Sequence, residues 1–359
     1  MTLYEKEPMH WTVVTPFIEE PSNSGIHVPS DSGWLTSFVP GKRHQFRLLN
    51  RQNIGARRSW HTRSSRETGY REWIGYLEQA GEALEASQGG VITVFPQLAA
   101  VVGIRQRIAR PRFPVVAWCF NVGACYPGIK RLLAQTAFKD VDRFIVHSRR
   151  ERENVSQWLG LPLERFEFVP LQRAEIPVTY KEEITNPFLL AMGSAQRDYP
   201  TLFKAVEKLG LRTVVVAGKH ALAGLTIPPQ VEVRSGLTMD ECLRLAQEAR
   251  VNIVPLLNNE TAAGQVTIVE AMRMNRPVIA TRCIGSEDYI KDSETGFLVE
   301  PYSVDDLAQT INKLWNDQEL RDRIGGEAGR YSAEHFSDEA AGEALGRILD
   351  EVADEAGLK

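Results

Sequence analysis

Three features of this chain have residue types and spacing suited to holding a phosphorylated ligand: Arg197, Glu270, and the run Gly264-Gln265-Val266-Thr267. The run opens an apolar-periodic stretch that reads as a short helix ending near Asn275. The first N–H groups of a helix lack intrahelical partners, and an anion can sit on them. Glu270 lies about a turn and a half farther along, too deep to favour phosphate, but a carboxylate there accepts from two neighbouring ribose hydroxyls. One short element then suits both halves of a nucleotide diphosphate; the plainer alternative makes Glu270 a helix former on a solvated face. Arg197 follows the turn Gly193-Ser194-Ala195-Gln196 at the end of an apolar strand. Glycine there lets a ligand come close, and the guanidinium neutralises a departing diphosphate; the alternative is a surface pair with Asp198. Lys219, after Ala217-Gly218, is either a second positive charge at the next strand end or a solvated lysine.

Glu270-Ala271-Met272 followed by Arg276-Pro277-Val278-Ile279-Ala280-Thr281 resembles the nucleotide-sugar motif of the retaining glycosyltransferases of family 4, the glycosyl transferases group 1. The resemblance implies an α/β chain of the GT-B fold, with two Rossmann-like domains facing each other across a cleft and a C-terminal helix able to cross back. It implies transfer of a sugar, with retention, from a nucleotide diphosphate sugar to a hydroxyl of a glycan or lipid-linked glycan. The nucleotide sugar is a co-substrate; no cofactor and no metal site are implied. Glu270 would hold the ribose, and Arg197 with Gly193, Lys219 and the amides of Gly264, Gln265, Val266 and Thr267 the diphosphate and sugar. The backbone around Leu237, in Arg234-Ser235-Gly236-Leu237, would meet the base.

The pattern departs from the family at two places. The first of the two usual glutamates falls on Ala262, leaving Glu260, two residues earlier, as a substitute. The usual histidine after the strand Val115–Phe120 is missing, and Asn121 stands there to orient an acceptor hydroxyl or simply to turn the chain. The departing phosphate would then take the acceptor proton, so Arg197 and Asn121 are the expected catalytic residues. Two rivals share the donor site: a sugar-nucleotide epimerase and a non-catalytic sugar-nucleotide-binding protein.

Strand-length apolar runs alternating with amphipathic stretches predict parallel sheets covered by helices. In residues 1–178, the expected acceptor domain, strands are read at His10–Ile18, Gln45–Leu49, Val91–Phe95, Val115–Phe120, Phe144–His147 and Phe166–Val169. Helices are read at Glu72–Ser87, Lys130–Ala137 and Arg149–Trp158, the last with Ser148 as its cap. Residues 172–187, with two prolines and no period, read as a linker. In residues 179–359, the expected donor domain, strands are read at Phe188–Met192, Thr213–Ala217, Val231–Arg234, Asn252–Pro255, Val278–Thr281 and Phe297–Val299, with charged helices from Val304 on. The loop Glu20–Gly33 and the pair His147-Ser148 are placed at the acceptor side.

A length of 359 residues suits two domains, and 43% apolar with 25% charged residues is ordinary for a globular chain. No apolar run reaches the roughly 20 residues of a membrane span, and no secretory leader is read, so a cytoplasmic location is expected. The four cysteines, Cys119, Cys125, Cys242 and Cys283, have no zinc or redox spacing and read as free thiols. Residues 1–180 hold 23 Lys/Arg against 17 Asp/Glu, whereas the remainder holds 19 against 29. Within 42–71 nine basic residues face one acid, Glu67, with Trp60, Tyr70 and Trp73 close in sequence. Such a stretch suits phosphate-bearing acceptors or peripheral contact with an anionic inner membrane surface. The pI near 6.1 and the absence of an RNA-binding signature argue against nucleic acid.

Overall fold

The structure, a computed structural model, describes residues 8–15, 35–49, 69–258 and 261–357. Within them two six-stranded parallel sheets follow one another along the chain. The first has the order β2-β1-β3-β4-β5-β6. Its strands are β1 (Met9–Val14), β2 (His44–Leu49), β3 (Gly90–Val94), β4 (Val115–Trp118), β5 (Arg143–Val146) and β6 (Phe166–Phe168). The second runs β12-β11-β10-β7-β8-β9. Its strands are β7 (Leu189–Met192), β8 (Thr213–Val216), β9 (Val231–Arg234), β10 (Val251–Val254), β11 (Val278–Thr281) and β12 (Phe297–Val299). The central strands are short Val/Ile-rich runs buried throughout, as parallel sheets covered on both faces require.

Four helices connect strands of the first sheet: α1 (Tyr70–Ala86), α2 (Pro96–Gln106), α3 (Ile129–Phe138) and α4 (Arg149–Leu159). Between strands of the second lie α5 (Tyr199–Leu209), α6 (Met239–Glu248) and α7 (Gln265–Arg273), followed after β12 by α8 (Val304–Asn316), α9 (Gln318–His335) and α10 (Asp338–Glu355). The expected strands and helices lie within a few residues of these, and the end of the first expected strand, residues 16–18, lies outside the described residues. Helix α2 escaped the sequence reading because it is apolar on nearly every side, with Leu98, Ala99, Val101 and Val102 all buried, and such a helix has no polar stripe. One expectation is corrected: Ser148 occupies the N-cap position of α4, but its hydroxyl makes no capping hydrogen bond.

Residues 172–187 contain neither helix nor strand, as expected of a linker, and are tied to the second half. The N–H groups of Thr179 and Tyr180 both donate to Gln247 Oε1, at 2.8 and 2.9 Å. The chain then ends by returning to its beginning. Ala341, Leu345, Ile348, Leu349 and Val352 of α10 share one core with Met9, Trp11, Val13, Ile92, Trp118 and Ile145 of the first sheet. Each large buried aliphatic contributes about 1.5–3 kcal/mol. Exposed ion pairs contribute about 0–1 kcal/mol, so apolar burial holds this crossing helix.

The basic stretch of 42–71 is described only in part. Residues 50–68 and the whole loop Glu20–Gly33 lie outside the described residues. Of the described cations, Arg43 is committed to docking α10, through Asp350 and, at 2.7 Å, Asp354. Lys42 and Arg47 are exposed.

Candidate functional site

In the second sheet β7 and β10 lie side by side, and the strand order runs outward from them in opposite directions. Such a switch point leaves a crevice at the carboxyl ends of the strands. The loops leaving β7 and β10 are joined there: Asp198 N–H donates to Pro255 O at 3.0 Å and Leu257 N–H to Gln196 O at 3.0 Å. Gly193 has φ +117°, and a Cβ on it would collide with the Arg197 guanidinium. Glycine is therefore required for the arginine to fold back over the end of β7.

Arg197 is anchored by three donations: Nε to Met192 O (3.0 Å), Nη1 to Ala195 O (2.7 Å) and Nη2 to Thr267 Oγ1 (3.3 Å). A guanidinium has five N–H groups, so these three bonds leave two for a ligand. Burial lowers the Arg197 pKa, but from a starting value so high that the charge persists. The pairing with Asp198 does not occur; Asp198 caps α5 by accepting from Thr201 N–H at 3.2 Å.

Helix α7 begins at Gly264, which has φ +85°, and no side chain caps it. Two expected site elements thus meet, Thr267 in the first turn of α7 and the arginine of the β7 loop. Gln265 is buried with its side-chain nitrogen unpartnered among the described residues, while Val266 is half-buried. Glu270 is buried, which removes the solvated-face alternative, and its Oε1 lies 2.9 Å from Arg173 Nη2. Arg173 comes from the linker, where its N–H donates to Phe336 O at 2.9 Å. Sequence reasoning missed it, since nothing in an aperiodic segment distinguishes one arginine from another.

The remaining residues expected at the donor are spread along the same sheet edge. Lys219 is exposed at the end of β8, next to Gly218, whose N–H donates to Ser194 Oγ at 2.8 Å. Leu237 is partly buried against a cluster that includes Met192, Cys242 and Met274, and Gly236 before it turns the chain at φ +72°. Glu260 lies outside the described residues.

Across the junction, Asn121 follows β4. Its Oδ1 accepts from Gly123 N–H at 2.9 Å, the turn role, and its Nδ2 donates to Ala262 O at 3.1 Å, a contact between the halves. His147, at the end of β5, is buried and tied within its own sheet. Its Nδ1 is 2.7 Å from Val169 O and its Nε2 is 3.3 Å from Cys119 Sγ. Burial pushes His147 down to about 4 and the Cys119 thiol up to about 12, so both are neutral near pH 7. With Nδ1–H donating to the carbonyl, Nε2 faces the thiol as acceptor. Glu151 of α4, also missed, is fully buried; its Oε1 accepts from Ala262 N–H at 3.4 Å, and burial pushes it up to about 7. Its sequence context, Ser148-Arg149-Arg150-Glu151, gave a competing local signal, that of a helix cap.

All four cysteines are free thiols, and among the described residues no group of three His, Cys, Asp or Glu side chains is placed to hold a metal ion.

Residues 178–330 match the family model described as Glycosyl transferases group 1. The Alpha-D-kanosaminyltransferase of Streptomyces kanamyceticus is 34% identical over 87 residues, covering 24% of this chain and 22% of that protein. The capsular polysaccharide biosynthesis glycosyltransferase CapM of Staphylococcus aureus is 24% identical over 221 residues, 56% of this chain and 57% of that one. The chain thus spans from about a fifth to somewhat over half the length of these relatives. In three dimensions it is similar to HepE of Anabaena, solved in complex with UDP and glucose, with a TM-score of 0.64 at 16% identity over 86% of this chain and 87% of that one. The two-sheet architecture is the GT-B fold.

Proposed function

We propose that this chain, whose residues 178–330 belong to the glycosyl transferases group 1, moves a sugar from a nucleotide diphosphate donor to a hydroxyl of a glycan or lipid-linked glycan. The observation that carries the proposal is the contact of Arg197 Nη2 with Thr267 Oγ1 at 3.3 Å, which sets a guanidinium beside the uncapped N-terminus of α7. A fixed cation and a helix N-terminus side by side suit a diphosphate, and they suit it better as the leaving group gains charge.

In the proposed reaction the bond between the sugar's anomeric carbon and the phosphate oxygen breaks. The acceptor oxygen bonds to that carbon from the same face, giving retention, and the departing phosphate takes the acceptor proton. Arg197 and the α7 amides stabilise the developing charge without a metal ion, Glu270 holds the ribose, and Asn121 orients the acceptor side. UDP is the first donor nucleotide to try, because HepE was solved with it.

The acceptor half would work against an anionic lipid surface. The support is α3, whose Ile129, Leu132 and Leu133 are 76%, 62% and 65% exposed. They lie in a stretch, 86–139, with seven Lys/Arg and no Asp or Glu. An apolar ridge among cations suits contact with anionic lipid, and no described helix is long and apolar enough to cross a membrane.

Calorimetric titration with UDP, GDP and ADP, repeated on Glu270→Ala, tests the donor site. Absence of binding by the wild-type chain to all three would sink the proposal.

A further inference from the structure

Ser148-Arg149-Arg150-Glu151 is written as a capping box, a serine at the N-cap of α4 with a glutamate three residues on, a pairing that normally closes on itself through two reciprocal hydrogen bonds. The folded chain does not use it. Ser148 Oγ and Glu151 Oε2 are buried without partners among the described residues. The helix start is closed from the other half instead: Arg149 N–H donates to Asp288 Oδ2 at 2.9 Å. Leaving buried polar atoms unmatched costs about 1–3 kcal/mol, and a departure of this kind from local chemistry asks for a reason elsewhere.

What Glu151 reaches is one residue of the donor half. Ala262 N–H donates to Glu151 Oε1 at 3.4 Å, and Ala262 O accepts from Asn121 Nδ2 at 3.1 Å. Beside them, Thr261 Oγ1 donates to Gly123 O at 2.8 Å. Both backbone groups of residue 262 are therefore bound by side chains of the first half, two positions before Gly264 opens α7.

We propose that Glu151 is a positioning residue of the donor site: by accepting from Ala262 N–H across the junction it fixes the loop 261–264, so that α7 presents its first amides to the diphosphate. Approach of the halves is thereby coupled to grip on the nucleotide. The inference rests on the donor-site reading above. It explains why Glu151 abandons its own helix, and it gives the junction a role that neither half holds alone. Both protonation states of a carboxyl accept an N–H, as does the oxygen of a glutamine side chain, so hydrogen-bonding reach is the property that matters.

The test uses the full chain and the variants Glu151→Gln, Glu151→Ala and Glu151→Asp, titrated by calorimetry with UDP, GDP and ADP. Whichever nucleotide the wild type binds should bind Glu151→Gln within about threefold, and Glu151→Ala and Glu151→Asp about tenfold or more weakly. Rescue by the neutral isostere and failure of the shorter acid would separate reach from charge. If Glu151→Ala does not fold, Glu151→Asp decides, together with amide exchange at Ala262, slow in the wild type and Glu151→Gln and fast in Glu151→Asp. Wild-type affinity in Glu151→Asp, or loss in Glu151→Gln equal to that in the other variants, overturns the proposal and leaves the donor-site reading standing. No binding of any of the three nucleotides to the wild type overturns that reading, and this one with it.

Discussion

Glu270 Oε1 lies 2.9 Å from Arg173 Nη2, so the carboxylate expected to meet a ribose is already held by a linker arginine. The pair fixes the side chain before a ligand arrives, and a carboxylate accepts several hydrogen bonds at once. Glu270→Ala should weaken nucleotide binding about tenfold or more, since two hydrogen bonds to a charged acceptor are lost. It should also lower the melting temperature by leaving Arg173 unpaired. A double-mutant cycle with Arg173→Ala, read by calorimetry and thermal unfolding, checks both; affinity unchanged in Glu270→Ala would remove Glu270 from the site.

Arg197→Lys should fold but lose most activity. A lysine cannot reproduce donations to Met192 O, Ala195 O and Thr267 Oγ1 from one rigid fork. Loss of a preorganised charge at a leaving group costs on the order of 10²–10³ in kcat. Gly193→Ala should have a related effect by displacing the guanidinium, with added strain of about 1–3 kcal/mol from its φ of +117°. Transfer rates with a fixed donor and acceptor decide; wild-type kcat in Arg197→Lys would refute the role.

Stability against pH carries two opposed contributions. Glu151 is raised from 4.5 to about 7, so its contribution is complete below pH 4.5 and is lost as pH rises through about 7. His147 is lowered from 6.5 to about 4, so its contribution is complete above pH 6.5 and is lost as pH falls through about 4. Each shift corresponds to about 3 kcal/mol, and between pH 4.5 and 6.5 the slopes oppose. The wild type should therefore be nearly level there, Glu151→Gln should gain stability as pH rises, and His147→Asn should lose it. Urea midpoints across that range test this; parallel curves for all three proteins would disprove it.

Membrane contact through α3 predicts flotation with vesicles containing phosphatidylglycerol, weakening with salt, and little flotation with phosphatidylcholine alone. The double variant Ile129→Ser with Leu133→Ser should abolish flotation and leave nucleotide affinity intact, because both side chains are mostly exposed. Flotation undiminished in that variant would move the contact elsewhere.

The sequence made the sheets legible because buried parallel strands are short Val/Ile runs between glycine and proline, and it made α7 legible because Gly264 precedes a clear helical period. The same reading placed Arg197 and Thr267 on separate elements; that they touch depends on β7 and β10 being neighbours, which no local pattern encodes. The contacts that Asn121 and Glu151 make across the junction were hidden for a related reason. Each has a plausible local job, turn or cap, and its partner Ala262 is more than 100 positions away along the chain. Local chemistry predicts local bonds, and the junction is made of distant ones.

The return of α10 to the first sheet bears on how the chain is made. One face of that sheet, with Trp11, Ile92, Val116 and Trp118, lacks the cover of α10 until residues 341–353 have left the ribosome. An apolar face incompletely covered through most of translation is a target for holding factors and for aggregation, so the order of synthesis delays the first half's maturation behind that of the second.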